Sequence, residues 1–270
     1  MSENVIPSGN SAFELVNERG WRRGLGNMLR NELSRWWKTR MWWIQCLIWG
    51  GMMGLLLGAV LFSELGPLPS EEVVMLYGIF AGLFPAIGLI IIVQGAVVGE
   101  KKDGTAAWVL SKPVTRPAFM LSKVIANSLG MLATMVVLPG VIAYALHAAA
   151  VDTPWTLPGF LAAQGVIFLS NFFFLSLTLM LGTFFSGRGP VIGIPLALLL
   201  MQQNLVVLLP ALRYVLPWNL VVPVGQQVDA VVPNLLMGTQ NYSPMLILVV
   251  ALESILFVLI GMWRFSREEF

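Results

Sequence analysis

The chain has 270 residues, of which 57% are hydrophobic and 11% charged, with a formal net charge of +2. A soluble domain carries roughly a quarter charged residues, so this composition excludes water as the solvent for most of the surface and points to lipid. The single cysteine, Cys46, excludes an internal disulfide, and the single histidine, His147, argues against a multi-histidine metal site.

Residues 1–18 are polar and aperiodic and read as a tail. The first forty residues are polar and basic for too long to form a secretory leader, so the first apolar run is expected to remain as a span. Over 24–40, Leu25, Met28, Leu29, Leu33, Trp36 and Trp37 recur at helical spacing opposite Asn27, Arg30, Asn31, Ser34, Arg35 and Lys38. That pattern predicts an amphipathic helix in the headgroup layer.

Six apolar runs then follow at 42–62, 73–98, 122–147, 159–185, 190–216 and 244–263. Each meets the roughly 20 residues that a membrane crossing needs. They are continuous rather than alternating, and in lipid a helix satisfies its own backbone hydrogen bonds. The expected fold class is therefore an all-α membrane protein with six transmembrane helices. Basic residues set the orientation. Arg19, Arg22, Arg23, Arg30, Arg35, Lys38 and Arg40 precede the first span. Lys101, Lys102, Lys112, Arg116 and Lys123 lie between or just inside spans two and three, Arg188 between four and five, and Arg264 and Arg267 after six. Only Arg213 falls on the other side, among Glu64, Glu71, Glu72, Asp152 and Asp229. Both termini are expected in the cytoplasm, with a tail and interfacial helix over 1–41 and a transmembrane domain over 42–270. The segment 217–243 is too apolar for a solvated loop and too interrupted by Pro and Gly to span, which fits a short re-entrant or surface-lying helical pair.

Polar residues inside spans draw attention because lipid cannot solvate them. Glu253, midway along span six, is either a contact for substrate, proton or cation, or a protonated carboxyl bonded to a neighbouring helix. Gln202, Gln203 and Asn204, between Pro195 and Pro210, either line a translocation path or join helices. Gly50, Gly54 and Gly58 form a small-residue face for close helix approach, within one subunit or across a dimer. Gln94, Asn127, Gln164 and Asn171 read as structural, and His147 as a solvated or capping residue near the outer end of span three. The P-loop, zinc-helix and nucleophile-turn motifs are absent from the sequence, so any ATP-driven motor belongs to another chain. An intramembrane enzyme using His147 and Glu253 is an alternative that their different depths disfavour. A membrane scaffold without transport is another.

The longest polar island inside the apolar region is 99–121, with Glu100, Lys101, Lys102, Asp103, Lys112 and Arg116. Asp103-Gly104 is a turn signal, Thr105–Leu110 is expected as a short helix capped by Thr105 or Asp103, and Pro113 and Pro117 redirect the chain. The run Glu100-x-x-x-Gly104-Thr105, then Leu110-Ser-x-Pro113-Val-x-Arg116, then Lys123 entering an apolar helix, resembles the type-2 permeases of ABC transporters. It is most similar to the six-span permeases of nitrous-oxide-reductase maturation and bacteriocin self-immunity. The resemblance implies a permease subunit, of exporter type, that works as a pair with a second copy or a close paralogue. It implies two copies of a cytoplasmic ATPase as partners, carrying ATP and Mg, with no cofactor on this chain. It places the chain among membrane lipids in a bacterial or archaeal cytoplasmic membrane, with no nucleic-acid partner. It also implies a cytoplasmic coupling helix between spans two and three, with Glu100, Asp103, Gly104, Thr105, Leu110, Pro113 and Arg116 as coupling candidates. Gln202, Gln203, Asn204 and Glu253 remain the path candidates.

Overall fold

The fold is that of a computed structural model, in which residues 20–63, 68–223 and 229–269 are described. The tail expected over 1–18 lies outside the described residues. In chain order the helices are α1 (Leu25–Trp37), α2 (Met41–Leu61), α3 (Ser70–Val93), α4 (Gly95–Lys102), α5 (Thr105–Leu110), α6 (Arg116–Met131) and α7 (Leu138–Ala150). They continue as α8 (Leu157–Phe184), α9 (Arg188–Leu208), α10 (Trp218–Val221), α11 (Val231–Met237) and α12 (Pro244–Ser266). Among the described residues there is no strand. Six helical stretches among the described residues are long and apolar enough to cross a membrane: α2, α3 with α4, α6 through α7, α8, α9 and α12.

Local chemistry writes the starts and stops. Thr115 Oγ1 accepts the Ala118 amide at 3.3 Å with Pro117 in the first turn, and Thr156 does the same for Gly159 at 3.4 Å with Pro158. These are N-caps followed by a proline whose missing N–H is not needed there. Span five stops at Leu208, short of the expected 216. Pro210 pushes Leu209 out of the helical region (φ −131°, ψ 87°), and a 3₁₀ turn over Pro210–Tyr214 follows. Span three contains a π-helical stretch, Leu132–Val137. Pro139 has no N–H for the carbonyl four residues earlier, and the wider turn is where the ladder adjusts.

The centre of the molecule is α8, buried on all faces over the unbroken run Phe173–Leu179, as a helix enclosed by other helices must be. Its apolar neighbours include Tyr77, Ile90, Leu220, Val232 and Val250. A second cluster, with Met28, Trp36, Phe119, Met131 and Phe265, fills the half toward α5. Gly50 and Gly54 face Ile142 of α7 within the subunit, where added Cβ atoms would stand 3.0 and 3.6 Å away, while Gly58 faces open space.

The helical pair in 217–243 is present and packs inward rather than lying on the surface: Leu220, Val221, Val231, Val232 and Leu236 are all buried. Glycines make room for it. A Cβ on Gly78 would stand 2.3 Å from the Val221 carbonyl oxygen, and one on Gly159 2.4 Å from that of Leu235. Because the obstacle is backbone, Gly78→Ala is expected to destabilise the chain by about 1–3 kcal/mol, as overpacking does. Thermal unfolding of the purified chain measures this, and an unchanged midpoint would refute it.

The first helix also differs from its expected face. The buried stripe is Met28, Glu32 and Trp36, while Leu25, Leu29 and Leu33 are half-buried and Trp37 is exposed. This stripe packs on α6. The Trp36 ring occupies the space over Gly130, where a Cβ would lie 2.3 Å from Cδ2, and its Nε1 donates to Asn127 Oδ1 at 3.1 Å. A carboxylate inside that stripe requires a buried cation.

Candidate functional site

That cation is Lys123, one turn below Asn127 on α6 and 0% exposed. Its Nζ lies 2.8 Å from Glu32 Oε1 and 2.7 Å from Glu100 Oε1. Arg35 reaches Glu100 at 3.0 Å and Glu32 at 3.6 Å. Acid and base alternate, so α1, the end of α4 and α6 are joined through one shared ammonium. An isolated buried ammonium is very costly, and here its N–H groups donate to the two carboxylates that offset that cost. The Lys123 stem also passes the Phe119 ring, with Nζ 4.7 Å from its centroid, and Phe119 stacks on Phe265 of α12 at 4.9 Å.

The next residue in the loop makes a second junction. Lys101 donates to the Thr183 carbonyl at the end of α8 at 3.0 Å and pairs with Glu268 at 2.8 Å; Glu268 also reaches Arg264 at 3.7 Å. At the far end of the loop, Arg116 donates to the Ser266 carbonyl of α12. Thr115 holds the chain before α1, its hydroxyl on the Trp21 carbonyl at 2.5 Å and its amide on the Arg23 carbonyl at 3.1 Å. The base of the 99–121 loop is thereby tied to α1, α8 and α12.

Above this base stands α5. Its entrance is Gly104 at φ +70°, a left-handed conformation that glycine adopts without strain. Gly104 holds the cap position and neither Asp103 nor Thr105 supplies a side-chain cap, which corrects the expected capping. Ala106 is fully buried against the subunit, Val109 and Leu110 pack partly on the lower apolar cluster, and Asp103, Gly104, Thr105 and Pro113 are exposed. The most prominent apolar group is Trp108, 61% exposed, with Lys112 Nζ 3.4 Å over its ring.

Of the coupling candidates, then, Asp103, Gly104, Thr105 and Pro113 share the exposed tip. Leu110 faces the subunit, and Glu100 and Arg116 are engaged inside it. Glu32, Arg35, Lys123 and Trp108 were missed as site residues. The available signal was Lys123 itself: a lysine within an apolar run needs an acid, and Glu32 and Glu100 are on the same side of the membrane.

Beside the ion-pair junction lies a cleft of about 450 Å³ lined by Arg35, Gln94, Glu100, Asp103 and Arg188, with exposed Met41 and Ile91 on its apolar wall. Arg188 crosses Gly99 and Gly95, where Cβ atoms would lie 3.5 and 3.9 Å from its guanidinium. Among the described residues, neither Arg188 nor Asp103 has an ion-pair partner.

The path candidates do not converge. Gln202 is buried, donates to the Leu199 carbonyl at 3.2 Å and borders a small void with Trp218 and Val222. Gln203 and Asn204 are exposed on the outside of α9, and Glu253 is half-buried on α12 with one carboxylate oxygen unbonded. His147 stacks on Trp155 at 4.0 Å, with its Nδ1 unbonded. Neither free atom meets the other, so nothing here joins His147 and Glu253 into a catalytic pair.

Among the described residues, six membrane-length helices with α8 buried at their centre, and a braced polar loop at one face, define a multi-pass helical membrane protein. The chain belongs to the family described as ABC-2 family transporter protein, whose family model matches residues 12–270. It is thus the membrane component, a permease, of an ABC transporter. No curated protein matches the chain.

Proposed function

We propose that this permease serves an ATP-driven exporter, with both termini in the cytoplasm of a bacterium or archaeon and α5 seated on a separate ATPase subunit. Two copies, or this chain and a close paralogue, pair in the membrane over two ATPases that carry ATP and Mg. The observation that supports this best is the contrast between the exposed tip of α5 and the ion-paired base beneath it. A ligand shifts a conformational equilibrium only through different affinity for its two states. Here ATP is that ligand, acting on the partner. Displacement of α5 carries Glu100 and Lys101 with it. Glu100 moves α6 and α1 through Lys123, and Lys101 moves α8 and α12 through Thr183 and Glu268. The charged cleft beside Arg35 and Arg188 is the access from the inner leaflet. Gln203 and Asn204, exposed amides on a membrane-crossing helix, face the second copy, because lipid would leave them unbonded.

Thr105→Cys in a Cys46→Ser background, carrying a photoactivatable crosslinker, tests the coupling. The expected result is an adduct with the ATPase in the assembled transporter, lost on stripping the ATPase from the membrane. Labelling of Thr105→Cys from outside intact cells, or no ATPase adduct in the assembled complex, would overturn the proposal.

A further inference from the structure

The face opposite α5 holds a second cleft, of about 350 Å³, between the end of α9 and the start of α12. Ligand pockets run from about 300 to 1,000 Å³, so it has room for a small polar group. Its lining includes Arg213, Tyr214, Asn219, Asp229 and Tyr242. Arg213 spends one N–H on the Tyr214 hydroxyl at 2.7 Å, and a guanidinium has five. The Tyr214 hydroxyl, and at longer range the Asp229 carboxylate, hold Arg213 more firmly charged than an ordinary arginine. No ion pair joins Arg213 to Asp229 among the described residues. A cation and an anion thus share one cleft without neutralising each other.

Two acceptors in this cleft lack donors. Asn219 is 5% exposed and its Oδ1 has no hydrogen-bond partner; the buried Oδ1 of Asp229 has none either. Buried acceptors are nearly always bonded, and an unmet one costs stability. Both require N–H or O–H donors, while Arg213 at the other side offers donors to an anion. The complementary ligand is a zwitterion with a primary ammonium at one end and a phosphate or carboxylate at the other. Its surroundings narrow the source. Leu208, Leu209, Val215 and Met245, on the elements that frame the cleft, are exposed apolar residues at the end of a membrane span. They form a surface along which acyl chains would lie.

We propose that this cleft holds the headgroup of an ethanolamine phospholipid, its phosphate on Arg213 and its ammonium on Asp229 and Asn219. Choline lipids are the poorer ligands, because a quaternary ammonium has no N–H for the two acceptors. The proposal extends the permease reading, and naming this leaflet the outer one rests on the orientation proposed above. Lipid retention needs no ATP hydrolysis, so failure of one reading is distinguishable from failure of the other.

The test uses the full chain in nanodiscs of equal phosphatidylethanolamine and phosphatidylcholine, with retained lipid counted by native mass spectrometry after mild delipidation. The expected result is about a tenfold preference for the ethanolamine lipid, the size of effect one hydrogen bond to a charged group brings. Asp229→Asn, which keeps the side-chain shape, and Arg213→Gln, which removes the guanidinium and leaves a shorter neutral amide, are each expected to lower its retention about tenfold. Asp152→Asn, exposed on the same face and outside the cleft lining, is expected to leave it unchanged. Equal retention of the two lipids, or indifference to Asp229→Asn, would overturn the site. Binding of soluble phosphoethanolamine as tight as that of the lipid would overturn the lipid assignment. Efficient disulfide linkage of two copies through Tyr214→Cys would show the cleft to be covered by protein instead.

Discussion

Lys123→Met is expected to lower the unfolding free energy by about 3–5 kcal/mol, the range for removing one partner from a buried charge cluster. Methionine matches the length of the lysine stem, so little packing is lost. What changes is that Glu32 and Glu100, each within 2.8 Å of the missing Nζ, lose their shared counter-charge. Arg35 alone remains between them, with a largely exposed side chain. The thermal midpoint should fall by on the order of 10 °C, given about 2–4 °C per kcal/mol in a chain of this size. Glu32→Gln should cost less, since Glu100 still holds Lys123. The triple variant Lys123→Met, Glu32→Met, Glu100→Met should recover most of the loss, because buried charge clusters replaced as a unit by apolar residues of similar volume are often neutral. A single variant that melts like the parent, or a triple variant no better than the single one, would show that the cluster does not hold the helices together.

Trp108→Ala should act on the assembled transporter and leave the isolated subunit intact. An exposed tryptophan contributes little to the fold, and substitutions of this kind fall within about 0.5 kcal/mol. At an interface, a tryptophan anchor is worth about 2–4 kcal/mol, or a 30- to 900-fold weakening of affinity. Binding of the ATPase to the permease in nanodiscs, with stimulated ATP turnover, should therefore collapse while the melting curve stays in place. Lys112→Ala should have a smaller effect of the same sign, as it removes only the cation above the ring. Undiminished ATPase affinity in a folded Trp108→Ala variant would mean that the partner reads another part of the loop.

The first experiment probes the ion-paired junction beneath the 99–121 loop and the second its exposed tip, and they differ in how far the sequence foretold them. That 99–121 is a helix–turn element at a membrane face was legible, because Asp103-Gly104, Pro113 and Pro117 are local signals bounded by apolar runs. That Glu100 turns inward was not legible. Its partner Lys123 is 23 residues on, and the other carboxylate on that lysine comes from Glu32, 91 residues from it along the chain. The same limit applies in α9. Three consecutive amides must point to different sides of a helix, since each residue turns about 100°. Only the neighbours reveal that Gln202 is the one turned inward.

Hydropathy and charge along the chain were sufficient for the class and the six crossings, because transfer into lipid depends on local composition over about 20 residues, while the family resemblance came from the ordered residues between Glu100 and Lys123. They did not indicate that α1 packs a carboxylate onto α6, that α10 and α11 lie buried against Gly78 and Gly159, or that two acceptors lack partners beside Arg213. Those features depend on which distant side chains share a few ångströms of space. Packing and ion pairing act over such short distances that only the assembled tertiary structure decides them.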